Sequence, residues 1–154
     1  MTTNQVIAKY GKPNETGKGY LTVIQLPYPM YLSYDKNVKV TRMSCHKLLA
    51  ETFKTIFADI LYTYGLDEIQ RLKIDEFGGC FNYRKMRNGN AWSKHSWGIA
   101  IDLYPSANGL KTKWKDSAFS KPEYKKLIEI FEFNGFINLG KEYGFDSMHF
   151  QTKN

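Results

Sequence analysis

Two short stretches gather the residues best suited to chemistry: Ser93-Lys94-His95-Ser96-Trp97-Gly98-Ile99-Ala100-Ile101-Asp102 and Asp146-Ser147-Met148-His149-Phe150. Between them they hold two of the three histidines in the chain. Asp102 stands between Ile101 and Leu103, in an apolar run where an unpaired carboxylate would be costly to bury. A nearby Arg or Lys could pair with it, and that is the commoner fate of a lone strand aspartate. His95, at the mouth of the same strand, offers another solution in which the two side chains share a cation. His149 alone would more often be a hydrogen-bonded strand histidine, and Asp146 a turn residue or a solvated charge. Residues three apart on a strand face opposite ways, so a bend at Ser147 is needed to bring both to one site.

Given that bend, two imidazoles and one carboxylate make a suitable mixture for zinc, and three protein ligands leave a fourth position open to water. Zinc lowers the pKa of such a water to about 7. A carboxylate within hydrogen-bond reach, Asp146, could then accept the proton and hand it to a leaving amine. The chemistry is metal-assisted amide hydrolysis. The developing oxyanion also needs a fixed positive group, for which Arg84 and Arg87, on the segment before His95, are candidates. Each is equally readable as part of a solvated basic loop.

The residues resemble those of the zinc D-alanyl-D-alanine carboxypeptidases and L-alanyl-D-glutamate endopeptidases, a family that includes bacteriophage endolysins and shares its fold with the hedgehog signalling domain. The likeness rests on Ser-x-His-x-x-Gly-x-Ala-x-Asp, present as Ser93, His95, Gly98, Ala100 and Asp102, and on an acid three residues before a final His-Phe. It extends over roughly Cys45 to Gln151, including Gly78-Gly79-Cys80 and Tyr83-Arg84. The resemblance implies that His95, Asp102 and His149 bind zinc with Ser93 supporting them. It further implies that Asp146 is the catalytic base and that Arg84 stabilises the transition state. The carboxypeptidase branch usually carries Glu where this chain has Asp146, and the shorter acid looks more like the phage-type endopeptidases. The expected activity is therefore cleavage within the peptidoglycan stem peptide, at L-Ala-D-Glu. Release of a terminal D-Ala is the alternative, and a non-catalytic, zinc-containing wall-binding module is a reading from another class. One departure is Asn138-Leu139-Gly140, where relatives often show Trp-Gly-Gly.

The elements that must position these residues follow from periodicity. Leu49, Phe53, Ile56, Phe57, Ile60, Leu61 and Tyr64 recur at three- and four-residue steps, which predicts a helix from Ser44 to Tyr64, capped by Ser44 or Thr41 and stopped by Gly65. His46, at its start, reads as structural. Strands are expected at Leu21–Leu26, Ile69–Phe77, Trp97–Leu103 and near Met148–Gln151, and the Gly78-Gly79 pair lets the backbone turn or approach a neighbour closely. A second helix is expected from Pro122 to Phe133, with a Ser120–Glu123 capping box and Gly135 as stop. The fold class is α+β: a single compact domain with a small antiparallel sheet packed against helices, of the hedgehog/DD-peptidase kind. Residues 1–40 read as an irregular lead-in packed on the core, and residues 41–154 as the zinc peptidase domain.

A chain of 154 residues with 42% hydrophobic and 16% aromatic content can bury one sizeable core. With 22 basic residues against 15 acidic, the net charge is +7, so an anionic cell-wall polymer is a plausible partner beside the stem peptide. The basic residues are scattered and match no nucleic-acid-binding signature, so no nucleic acid is expected. Two cysteines, Cys45 expected on a helix and Cys80 on a strand, suggest buried free thiols and not a disulfide framework. No signal-peptide pattern or bilayer-length apolar run occurs. The expectation is a monomer kept in the cytoplasm until a separate pore-forming protein releases it to the wall.

Overall fold

In a computed structural model, which describes residues 1–153, six strands form one sheet in the order β2-β1-β3-β4-β6-β5. The strands are β1 (Leu21–Leu32), β2 (Asp35–His46), β3 (Glu76–Gly79), β4 (Ala100–Leu103), β5 (Phe136–Asn138) and β6 (His149–Thr152). Only the β1–β3 pairing is parallel. The helices are α1 (Thr3–Tyr10), α2 (Ala50–Arg71), α3 (Lys125–Phe133) and the single-turn α4 (Leu139–Tyr143). The expected α+β class, a sheet packed on helices, is what the molecule adopts, although the sheet expected to be small and antiparallel has six strands and one parallel pairing among the described residues.

Period-two alternation builds β1: Ile24, Leu26, Tyr28 and Met30 are buried while Gln25, Pro27 and Pro29 face outward. The two prolines fall where the β1–β2 register breaks, between Gln25 and Met30. Their missing N–H groups therefore cost the ladder nothing there. The strand runs six residues past the expected end at Leu26, and residues 1–40, expected to be an irregular lead-in, carry α1, all of β1 and the first half of β2.

The helix expected from Ser44 begins six residues later. Thr41 and Ser44 belong to β2, paired to β1 with Met43 and Cys45 facing inward, so neither caps a helix and Cys45 is a strand residue. A 3-10 turn, Lys47–Leu49, leads into α2 instead. The apolar face was read correctly, since Phe53, Ile56, Phe57 and Ile60 are buried and Leu49, Leu61 and Tyr64 pack against them. Gly65 stops the first helical segment as expected: its backbone, φ +75° and ψ 159°, is non-helical, and a second helical segment follows it to Arg71, the two together spanning α2. Ile69 is consequently a buried helical residue, and the strand expected from it starts only at Glu76. Similarly, Trp97 lies on a 3-10 turn, Lys94–Trp97, and β4 starts at Ala100. The capping box at Ser120 does not form: Lys121 occupies the cap of the turn before α3, and the Ser120 hydroxyl donates to the Ser117 carbonyl at 2.8 Å.

Alternation along the central strands sorts core from site. Ile101, Leu103 and Phe150 join the core with α2 and α3, where the Phe131 and Phe150 rings stack at 4.0 Å. Asp102 and His149 are direct partners across β4 and β6, so both project from the opposite face. A second, smaller core of Val6, Tyr10, Trp97 and Ile99 ties α1 to the turn carrying His95. Both cysteines are free and buried. No helix among the described residues is long and apolar enough to cross a membrane.

Candidate metal centre

Three elements converge on one point. His95 comes from the 3-10 turn before β4, Asp102 from β4, and His149 from the first position of β6. One ligand atom from each lies within 4.8 Å of the other two. The carboxylate of Asp102 sits between the rings, its Oδ2 3.3 Å from His95 Nε2 and its Oδ1 3.3 Å from His149 Nδ1. The imidazoles meet edge to face, with centroids 4.9 Å apart. Gly78 makes room for this: a Cβ there would stand 2.8 Å from the Asp102 Cβ.

Each ring is oriented from behind. A carbonyl can only accept, so His95 Nδ1–H donates to the Cys80 carbonyl at 2.7 Å and Nε2 turns its lone pair toward Asp102. His149 is fixed the other way round: Nε2–H donates to Gln151 Oε1 at 2.9 Å, leaving the Nδ1 lone pair inward. Gln151 lies two residues along β6 and therefore on the same face. Outer hydrogen bonds of this kind are how metal-binding histidines are held in one tautomer. His95 Nε2 and Asp102 Oδ1, both buried, make no hydrogen bond, although each has an ion-pair neighbour at 3.3 Å, Asp102 Oδ2 and His149 Nδ1 respectively. Lone pairs facing a carboxylate at 3.3 Å require a cation between them, a proton or a metal ion. Two imidazole nitrogens and one carboxylate are a donor set suited to zinc.

Asp146 stands beside this cluster. Its backbone is left-handed, φ +63°, and its amide donates to the Leu110 carbonyl at 3.0 Å. The chain then turns through Ser147 and Met148 into β6, which is the bend expected at Ser147. Asp146 Oδ2 is 4.0 Å from His149 Nδ1, and its buried Oδ1 has no hydrogen-bond partner. Asn138 and Gly140, from the tripeptide that departs from Trp-Gly-Gly, secure this turn. The Asn138 side-chain amide donates to the Ser147 carbonyl at 2.7 Å, and its oxygen caps α4 by accepting from the Lys141 amide. Gly140 packs so closely that a Cβ there would lie 2.1 Å from Ser147 Oγ.

The electrostatics follow from the geometry. Burial alone would raise the pKa of Asp102, but the two imidazoles hold it well below the usual carboxylate range. Burial disfavours the charged form of His95, yet Asp102 outweighs it and the pKa is raised. Burial pushes Asp146 upward, His149 pulls it back, and Asp102 adds to the rise. The charge of Arg84 bears on both His95 and Asp146. Its backbone is gripped at three points: its amide donates to Ser96 Oγ, and its carbonyl accepts from the Ser96 hydroxyl at 2.8 Å and from the Ser93 amide at 3.0 Å. Arg87, by contrast, is exposed on the tip between the bridged residues Lys85 and Trp92. Ser93 caps the 3-10 turn, its oxygen accepting from the His95 amide at 3.3 Å. Grooves of about 490 Å³ between α2 and α3 and about 400 Å³ on the β1–β2 ribbon lie elsewhere, lined by other residues.

Of the residues singled out in the sequence, His95, Asp102, His149, Asp146 and Arg84 thus share one neighbourhood, and Arg87 stands outside it. The Cys80 carbonyl could not be read from side-chain types, whereas Gln151 was readable from its i+2 spacing to His149. No curated protein matches the sequence significantly. Residues 87–152, less than half of the chain but including all three clustered ligand residues and Asp146, match a family model described as D-alanyl-D-alanine carboxypeptidase.

Proposed function

We propose that the chain is a zinc metallopeptidase that hydrolyses an amide bond of the peptidoglycan stem peptide. The observation that carries this reading is the pair of inward lone pairs, on His95 Nε2 and His149 Nδ1, converging on Asp102 with a second carboxylate, Asp146, at the edge. Zinc held by His95, Asp102 and His149 would supply a Lewis acid that polarises the scissile carbonyl and makes water acidic enough to lose a proton near neutrality. Asp146 accepts that proton on its unpartnered Oδ1 and returns it to the departing amine; its raised pKa suits a group that must both take and give a proton. Arg84 supplies fixed positive charge to the developing oxyanion, while Arg87 on the exposed tip is left without that role.

Two scissile bonds compete. Asp in place of Glu at position 146 favours an internal bond, L-Ala-D-Glu, and hence an endolysin-like enzyme. The description of the matched family favours release of a terminal D-Ala. Incubation of the zinc-loaded protein with purified peptidoglycan, followed by amine labelling and mass spectrometry of the muropeptides, decides between them. New N-terminal D-Glu identifies the endopeptidase and free D-Ala the carboxypeptidase. No new amine under either analysis would refute the hydrolase reading.

A further inference from the structure

The turn that carries His95 is held from outside the matched region, by the first forty-six residues of the chain. Three hydrogen bonds reach it. The buried Tyr20 hydroxyl donates to the Ser96 carbonyl at 2.8 Å. The His46 amide donates to the Gly98 carbonyl at 3.0 Å. The indole N–H of Trp97 donates to the Gly11 carbonyl at 2.6 Å, and its ring fills the small core against Val6, Tyr10 and Ile99. Residues 96, 97 and 98, the three that follow His95 in the chain, are thus each tied to the N-terminal segment. The Tyr20 ring also stacks on His46, with centroids 5.4 Å apart, and meets Phe81 edge-on. Phe81 directly follows Cys80, whose carbonyl orients the His95 imidazole. Both the backbone of His95 and the acceptor behind its ring are therefore fixed against the same N-terminal layer.

We infer that the segment from Thr2 to Tyr20 is a working part of the metal centre, with Tyr20 and Trp97 as positioning residues that set the aim of His95 Nε2 and hence the affinity for the ion. The inference rests on the metal reading above and deepens it. A short 3-10 turn has few hydrogen bonds of its own, so its orientation must come from what it is packed against. Ligand orientation of this kind typically changes metal affinity 10- to 100-fold.

The test uses the full chain with Tyr20→Phe, which keeps the stacked ring and deletes the hydroxyl, and Trp97→Phe, which keeps an aromatic ring in the small core and deletes the N–H. Tyr124→Phe is the control: its hydroxyl makes an equivalent buried bond, 2.9 Å to the Leu72 carbonyl, remote from the cluster. Zinc affinity is read by competition with a chromophoric chelator, cobalt(II) geometry by visible absorption, and stability by thermal melting. Tyr20→Phe and Trp97→Phe are expected to bind zinc roughly 10-fold more weakly with an altered cobalt spectrum. Tyr124→Phe is expected to melt lower with unchanged affinity and spectrum. Wild-type zinc affinity in folded Tyr20→Phe overturns the inference, and Trp97→Phe decides on the same criterion if the tyrosine variant does not fold. Failure of the unaltered protein to bind zinc would instead bring down the metal reading, and this inference with it.

Discussion

At the scale of single residues, the two carboxylates of the cluster occupy opposite situations. Asp102 lies between two imidazoles that hold it ionised, whereas Asp146 touches the cluster at its edge and keeps a free oxygen. The first is suited to holding a cation and the second to moving a proton. Asp146→Ala is therefore expected to retain one zinc per chain while turnover on peptidoglycan falls at least 100-fold, the usual worth of a positioned general base. Metal analysis beside an amine-release assay checks it, and lost zinc would show that Asp146 is a ligand instead. Gln151 acts one bond further out, fixing His149 with its Nδ1 lone pair inward. Gln151→Leu frees the ring to flip and should weaken zinc binding roughly 10-fold, with little change in melting temperature because Gln151 is only partly buried. A chelator competition titration would measure this, and unchanged affinity would remove Gln151 from the site.

At the scale of elements, the clustered residues His95, Asp102 and His149 were legible because their chemistry is conspicuous: a carboxylate between Ile101 and Leu103, and two of only three histidines in two short motifs. What held them was less visible. The Ser44 start for α2 failed because Thr41–His46 alternates against β1, and strand pairing across some twenty residues overrides a local cap signal. Gly65 ends the first segment of α2 as its residue type suggests, but a second helical segment follows where a strand was expected, because Ile69 is buried on the same core. The close approach of α4 to the Asp146–His149 turn left only Gly140 as its trace, in the tripeptide that departs from Trp-Gly-Gly. That contact yields the sharpest test of the frame. In Gly140→Ala the new Cβ would meet Ser147 Oγ at 2.1 Å and its Cα at 2.7 Å, and Ser147 is fully buried with its carbonyl tied to Asn138. Overpacking of this kind costs about 1–3 kcal/mol. Each kcal/mol lowers the melting temperature of a domain this size by about 2–4 °C. Because the displaced turn carries Asp146 and His149, zinc affinity should fall as well. Gly89→Ala, in an exposed loop with nothing nearer than 3.9 Å to its new Cβ, should change neither quantity in the same melts and titrations.

At the scale of the whole molecule, His46 is a buried polar residue at the end of β2, beside the smaller of the two apolar cores. It is 1% exposed, packed against the rings of Tyr10 and Tyr20. Its two nitrogens have fixed roles: Nε2–H donates to the Tyr10 carbonyl at 2.8 Å, and Nδ1 accepts from the Leu48 amide at 3.1 Å. Protonating Nδ1 would set a donor against a donor. Burial lowers the His46 pKa, the bond to Tyr10 raises it in part, and the charge of Lys47 lowers it further, so the net direction is downward. The sign of the linkage follows. Below the unfolded value, about 6.5, the unfolded chain takes up a proton on this histidine more readily than the folded one, so stability rises with pH through this window. The contribution is complete above about pH 6.5 and is lost as pH falls below it. His46→Gln carries no titrating ring, so the stability gap between wild type and variant should be widest near pH 7.5 and shrink toward pH 5. Melting both proteins without added metal across that range isolates His46 from the other histidines, which titrate alike in the two chains. A gap that stays constant would mean that folding leaves proton uptake on His46 unchanged, and one that widens in acid that the folded protein favours its charged form; either outcome overturns this reading.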